Sequence, residues 1–211
     1  MVGRLLVDNL SRALKLTDLI GGFIGWPPKR LRLHVVVLAD GNGPVAATAD
    51  LARSLDYIKR VFKTRFNVNV RAYGDGFVHV LKDAAPAAAL SVRCGADALA
   101  DEAGEAGDYF ASHVAGWNLV PISLVFPVTV FVVRDVAGKR GCSLGPLTDY
   151  VTVDIAGVGD GTTLAHEVGH ACGLWHSRSR SNLMYHDSTR GDGVAWFQKN
   201  VLRTSRHVTY L

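Results

Sequence analysis

At 211 residues the chain is long enough for one domain with a sizeable core, alone or with an extension. Hydrophobic residues at 48% against 20% charged exclude a chain too polar to fold. The formal net charge is +4, but the basic residues are scattered and no nucleic-acid-binding motif accompanies them, which argues against a nucleic-acid partner.

No apolar run approaches the roughly 18 residues needed to span a membrane. Asp8, Arg12, Lys15 and Asp18 interrupt any apolar stretch near the N-terminus, so no secretory signal is recognisable. Leu6, Leu10, Ala13 and Leu14, then Leu19, Ile20, Phe23 and Ile24, recur at helical spacing. Such a segment suits packing on its own domain; a membrane-surface helix and a pro-segment are the other readings. Gly21-Gly22 and Trp26-Pro27-Pro28 break it, so residues 1–30 read as an amphipathic extension and 31–211 as the main domain.

Leu31 to Leu38 is apolar and rich in β-branched residues, as expected of a buried strand. From Ala47 to Phe66, Leu51, Leu55, Ile58 and Phe62 mark one face of a long helix. Val68 to Tyr73 alternates as a second strand. Leu99, Ala103, Ala106, Phe110 and Val114 predict a helix over 97–115. Val128 to Val133 is a third, strongly apolar strand. A glycine-containing stretch, Gly138 to Pro146, follows, and Tyr150 to Ile155 alternates as a fourth strand. Strands alternating with helices predict an α/β (α+β) fold built on a mixed, mostly parallel twisted sheet.

The stretch that carries chemistry is His166-Glu167-Val168-Gly169-His170-Ala171-Cys172-Gly173-Leu174-Trp175-His176. On a helix, Leu164, Ala165, Val168, Ala171 and Cys172 fall within an arc of about 100°, while His166 and His170 lie opposite, roughly 40° apart and about one turn along the axis. One face is suited to burial and the other presents two imidazoles that can share one zinc ion. Glu167, on the flank, is poorly placed as a ligand but close enough to act as general base toward an attacking water. Were the helix to continue, His176 would lie about 9 Å beyond His170 and some 120° off its face. The chain therefore has to turn, and Gly173 accepts the positive φ of a left-handed helix end. Three neutral imidazoles leave a fourth tetrahedral position open, the arrangement of a catalytic rather than a structural site.

Of the three cysteines, Cys172 reads as a small apolar core residue beside this motif. A bridge between Cys94 and Cys142 is compatible with an exported chain.

The extended motif, with Ser181-Asn182-Leu183-Met184-Tyr185 after it, resembles the metzincin clan of zinc peptidases and its Met-turn. The Leu-Met-Tyr run is most similar to the matrix metalloproteinase version, although the proline that follows there is His186 here. The resemblance implies an upper subdomain over 31–173 with two helices packed on the sheet, and a lower subdomain over 174–211 with the Met-turn and a C-terminal helix. It implies that Met184 forms an apolar floor beneath one catalytic zinc ion held by His166, His170 and His176. It also implies that an extended peptide or protein substrate lies against an antiparallel edge strand, for which Cys142, Ser143 and Leu144 are the candidates. Family habit suggests secretion. The C-terminal helix is expected within Asp192 to Arg206, from Val194, Phe197, Val201 and Leu202. Trp175 is expected to pack beneath the turn, and Arg178, Arg180 and Arg190 are expected to be solvated loop residues; Arg178, Arg180 and Arg190 could otherwise favour acidic substrate residues. The leading reading is a zinc metalloendopeptidase. A non-hydrolytic zinc-binding interaction module and a hydrolase of a small amide are the alternatives.

Overall fold

A computed structural model describes residues 25–94, 101–115 and 126–210. The first strand, β1 (Lys29–Asp40), is the spine of the sheet. Two short strands, β3 (Val68–Ala72) and β4 (Val78–Ala84), pair in parallel with successive halves of one of its edges, after the hairpin return β2 (Gly43–Pro44). Beside β1 lies β6 (Val128–Val132), then β9 (Tyr150–Val153), both parallel, and finally β8 (Gly141–Ser143), antiparallel, where the path of the sheet ends. The short β5 (Ser91–Val92) and β7 (Asp135–Val136) form a separate pair, and β10 (Val208–Thr209) closes antiparallel onto the start of β1. The expected mixed, mostly parallel sheet is therefore present.

Both faces of this sheet are covered, which is why β1 and β6 are near-continuous apolar runs. Leu33, Val35, Val37, Val130 and Val132 point into one core, shared with Ile58 and Phe62 of the long helix and with Leu164, Val168 and Met184. Val36, Leu38 and Phe131 point into the other, where Phe110 stacks at 4.6 Å on Phe131 and 5.1 Å on Tyr150. The long helix runs from a 3-10 turn at Thr48–Leu51 through α1 (Ala52–Val61) to a π-helical turn at Phe62–Phe66. It stops where Asn67 takes φ 54°, and all four residues of its predicted stripe are buried.

Several elements differ from expectation. The strand at Tyr150 ends at Val153, because Asp154 accepts a hydrogen bond from Gly157 N at 2.6 Å and caps a new helix, α4 (Ile155–Asp160). Both faces of that strand are buried, so its alternation marks two cores rather than one wet side. Strand β4 and the turn α2 (Ala87–Leu90) were not foreseen, since β4 is a half-exposed edge with a weak apolar signal. The helix predicted over 97–115 is α3 (Glu105–His113); positions 97–100 lie outside the described residues, as do residues 1–24 of the amphipathic extension. No described helix is long and apolar enough to cross a membrane.

The C-terminal helix, α6 (Trp196–Arg203), turns a different face inward than its apolar residues suggest. Phe197 and Val201 are exposed, while Gln198, Leu202 and Arg203 are buried. Polar contacts decide this orientation. Arg203 donates to the carbonyls of Phe66 (3.2 Å), Asn67 (3.0 Å) and Pro27 (2.9 Å), and its own carbonyl accepts from the buried Lys29 Nζ at 2.7 Å. The helix is thereby tied to the end of the long helix and the start of β1. Arg203→Ala would take this donor from the carbonyls of Phe66, Asn67 and Pro27, and we expect a loss of about 3 kcal/mol in urea unfolding; a change below about 1 kcal/mol would contradict this account.

Candidate metal centre

The motif helix, α5 (Thr163–Ala171), starts on the carboxylate of Asp160. Asp160 Oδ1 accepts from Thr162 N (2.7 Å) and Thr163 N (2.8 Å), and Oδ2 accepts from Thr163 Oγ1 (2.6 Å). Leu164, Ala165, Val168, Ala171 and Cys172 are buried as the periodicity requires, and Cys172 is a core residue outside the disulfide. The helix ends at Gly173, whose φ of +90° reverses the chain, with Gly173 N donating to His170 O and Leu174 N to Gly169 O.

That reversal brings His176 back. His170 Nε2 lies 3.1 Å from His166 Nε2 and 3.1 Å from His176 Nε2. His166 is buried, His170 half-buried and His176 exposed, so the cluster opens to solvent on one side. The Nδ1 of His166 contacts Leu183 O at 3.0 Å, and that of His170 contacts Leu174 O at 2.7 Å. A carbonyl only accepts, so both Nδ1 atoms carry the ring proton. Burial holds His166 down at about pKa 3 and His170 at about 4; it also lowers His176. The Nε2 atoms of neutral His166 and His170 therefore face each other as bare lone pairs, an arrangement that is repulsive unless a cation sits among them. Zn–N bonds of about 2.0 to 2.1 Å in a tetrahedron set neighbouring nitrogens roughly 3.3 Å apart, close to the separations here. The residues fit a zinc ion.

Met184 is fully buried and packs against Gly169 of α5. A Cβ placed on Gly169 would lie 2.8 Å from Met184 Sδ, so the helix needs glycine there for the methionine to approach. Met184 N donates to Asn182 Oδ1 (2.8 Å), and the buried Asn182 Nδ2 donates to Gln198 Oε1 (2.9 Å), so α6 holds the turn in place.

Glu167 is only 6% exposed, and burial pushes its carboxyl up to about 8 against the opposing pull of Arg190 and Lys139. Among the described residues it has no hydrogen bond or ion pair. It packs on the edge strand: a Cβ on Gly141 would meet Glu167 Cγ at 2.7 Å and Thr163 Cγ2 at 2.9 Å. The next residue, Cys142, is disulfide-bonded to Cys94. Cys142 and Ser143 lie on the antiparallel edge strand and Leu144 just past its end, while Ser143 Oγ accepts from Gly145 N at 3.0 Å.

Other expectations change. Trp175 does not pack under the turn; it is 85% exposed. His186, by contrast, is exposed as expected of a solvent-facing histidine and lies outside the three-histidine cluster, although its charge bears on His176. Arg190 is half-buried, not a solvated loop residue, and donates to Tyr185 O, Asp187 O and Thr163 Oγ1. A basic residue after the Met-turn is visible in the sequence, but nothing there marks it as turned inward.

No protein-family profile matches the chain, and no curated protein matches it by sequence. Its fold is similar to that of metalloproteinase-II from Bacteroides fragilis, at 15% identity and a TM-score of 0.52. That match covers 78% of this chain and 49% of the other, so the chain spans about half that protein's length. Mirolysin (12% identity, TM-score 0.49, covering 72% of this chain and 65% of that one) and archaemetzincin from Methanopyrus kandleri (14% identity, TM-score 0.44, 84% and 88%) also align. What is shared with metalloproteinase-II at this identity is the fold. Gly169→Ala is expected to cost about 1 to 3 kcal/mol by pressing on Met184. Met184→Ala in the same chain should relieve part of that loss, a less-than-additive pair in a double-mutant cycle of denaturant unfolding.

Proposed function

We propose that the chain is a zinc-dependent endopeptidase, with His166, His170 and His176 as zinc ligands and Glu167 as general base. The observation that carries this reading is the convergence of three imidazoles beside a buried carboxylate with no partner of its own. A zinc ion held by His166, His170 and His176 would supply an acidified water and polarise the scissile carbonyl. Glu167 takes a proton from the attacking water and delivers it to the departing amine nitrogen. Met184 supports the histidines from below without binding the metal.

An extended peptide suits the site better than a small amide, because β8 presents the open edge of the sheet next to Glu167. Cys142, Ser143 and Leu144 would align it through main-chain bonds. In this reading 31–173 is the upper subdomain and 174–211 the lower, divided where Gly173 reverses the chain, with 1–30 as an extension. A zinc-holding interaction module has no need of a buried base, which weighs against that alternative.

Glu167→Gln should retain one zinc per chain by metal analysis while losing at least about 100-fold in kcat on a generic protein substrate. His176→Ala should lose the metal itself. Chelation should abolish cleavage, and added zinc should restore it. Full turnover by Glu167→Gln would remove the carboxylate from the mechanism; wild-type protein that holds zinc and cuts no peptide would favour the interaction module. Gly141→Ala, which pushes on Glu167 rather than on the ligands, should keep zinc and lower kcat.

A further inference from the structure

Arg190 has an environment that its loop position does not explain. Its Nε is shared between Tyr185 O (3.1 Å) and Asp187 O (2.9 Å), and Nη1 donates to Thr163 Oγ1 at 3.3 Å. The guanidinium is therefore clamped in one orientation against the first turn of α5. Thr163 and Glu167 are one turn apart on that helix, and both press on Gly141 of the edge strand. Arg190 thus stands next to the base and the substrate edge together, and its charge bears on Glu167, His166, His170 and His176.

Among the described residues no carboxylate comes within ion-pair distance of it, and its second terminal amino group has no hydrogen bond. The nearby Asp160 is engaged elsewhere: it accepts from Thr162 N, Thr163 N, Thr163 Oγ1 and Arg140 Nη1. A half-buried guanidinium that is oriented but not neutralised is a receptor for an anion, since a fixed planar fork loses little freedom when a carboxylate docks.

Resting on the peptidase reading above, we infer that Arg190 determines specificity by binding an acidic side chain of the substrate. The side is set by the chemistry. Glu167 delivers its proton to the leaving amine, and Arg190 is tied to Thr163, one helical turn from Glu167. The aspartate or glutamate selected is therefore the residue that supplies the leaving nitrogen.

The test is a random peptide library cut by the zinc-loaded full chain, with the new N-terminal residues identified by mass spectrometry. Aspartate and glutamate should be enriched there, and the kcat/KM ratio of an acidic over a matched neutral peptide should exceed about tenfold at low salt and fall as salt rises. Arg190→Gln should bring that ratio close to one, and Arg190→Glu should turn the preference toward lysine or arginine. Both peptides are cut by the same preparation, so partial misfolding cancels in the ratio; Arg190→Lys, which keeps the charge, should retain part of the preference. Cleavage with no acidic enrichment, or a ratio unmoved by Arg190→Gln, overturns the inference and leaves the peptidase reading standing. No cleavage of any library member overturns both.

Discussion

His166 and His170 each commit their Nδ1 proton to a backbone carbonyl that lies outside the helix carrying them, Leu183 O and Leu174 O. These two bonds set the tautomer and the tilt of both rings, and so decide that the Nε2 atoms converge. Neither carbonyl is positioned locally. Leu174 O is where it is because Gly173 reverses the chain, and Leu183 is held by its own N–H to Gly193 O at 2.8 Å and by the neighbouring Asn182–Gln198 contact. The orientation of two side chains on one helix thus depends on a turn after it and on a second helix near the C-terminus.

Close approach through glycine extends the same logic to the rest of the centre. Gly169 admits the sulfur of Met184 from below, and Gly141 admits the side chain of Glu167 from the edge strand. Each missing Cβ lets a large side chain lie against backbone with no gap, which positions Met184 and Glu167 without a hydrogen bond to either side chain. Glu167 can therefore be buried and positioned while its oxygens make no hydrogen bond among the described residues.

How much of this was legible in the sequence depended on whether a residue's role was local. The long helix from Thr48, the stop at Gly173 and the buried stripe of α5 follow from periodicity and φ preference, and the structure has them where they were read. The edge strand at Gly141–Ser143 was reached through the metzincin resemblance, since three residues give no periodic signal. Long-range polar contacts were not legible. Phe197 and Val201 look like the inward face of α6 until Gln198 and Arg203 find buried partners on distant segments. Trp175 and Arg190 were misjudged for the same reason: hydrophobicity argued for packing one and solvating the other, and the turn geometry does the reverse.

The bridge between Cys94 and Cys142 ties the open margin of the sheet to a point 48 residues earlier in the chain. Closing a loop of that size removes roughly 4 kcal/mol of freedom from the unfolded ensemble on the chain-entropy view. It also anchors the strand one residue from the glycine on which Glu167 rests. In a thiol-rich milieu that anchor opens, while His166 and His170 stay held by the carbonyls of Leu183 and Leu174. Reduction therefore acts on the two sides of this centre unequally: the edge strand loses a restraint on which the histidine cluster does not depend.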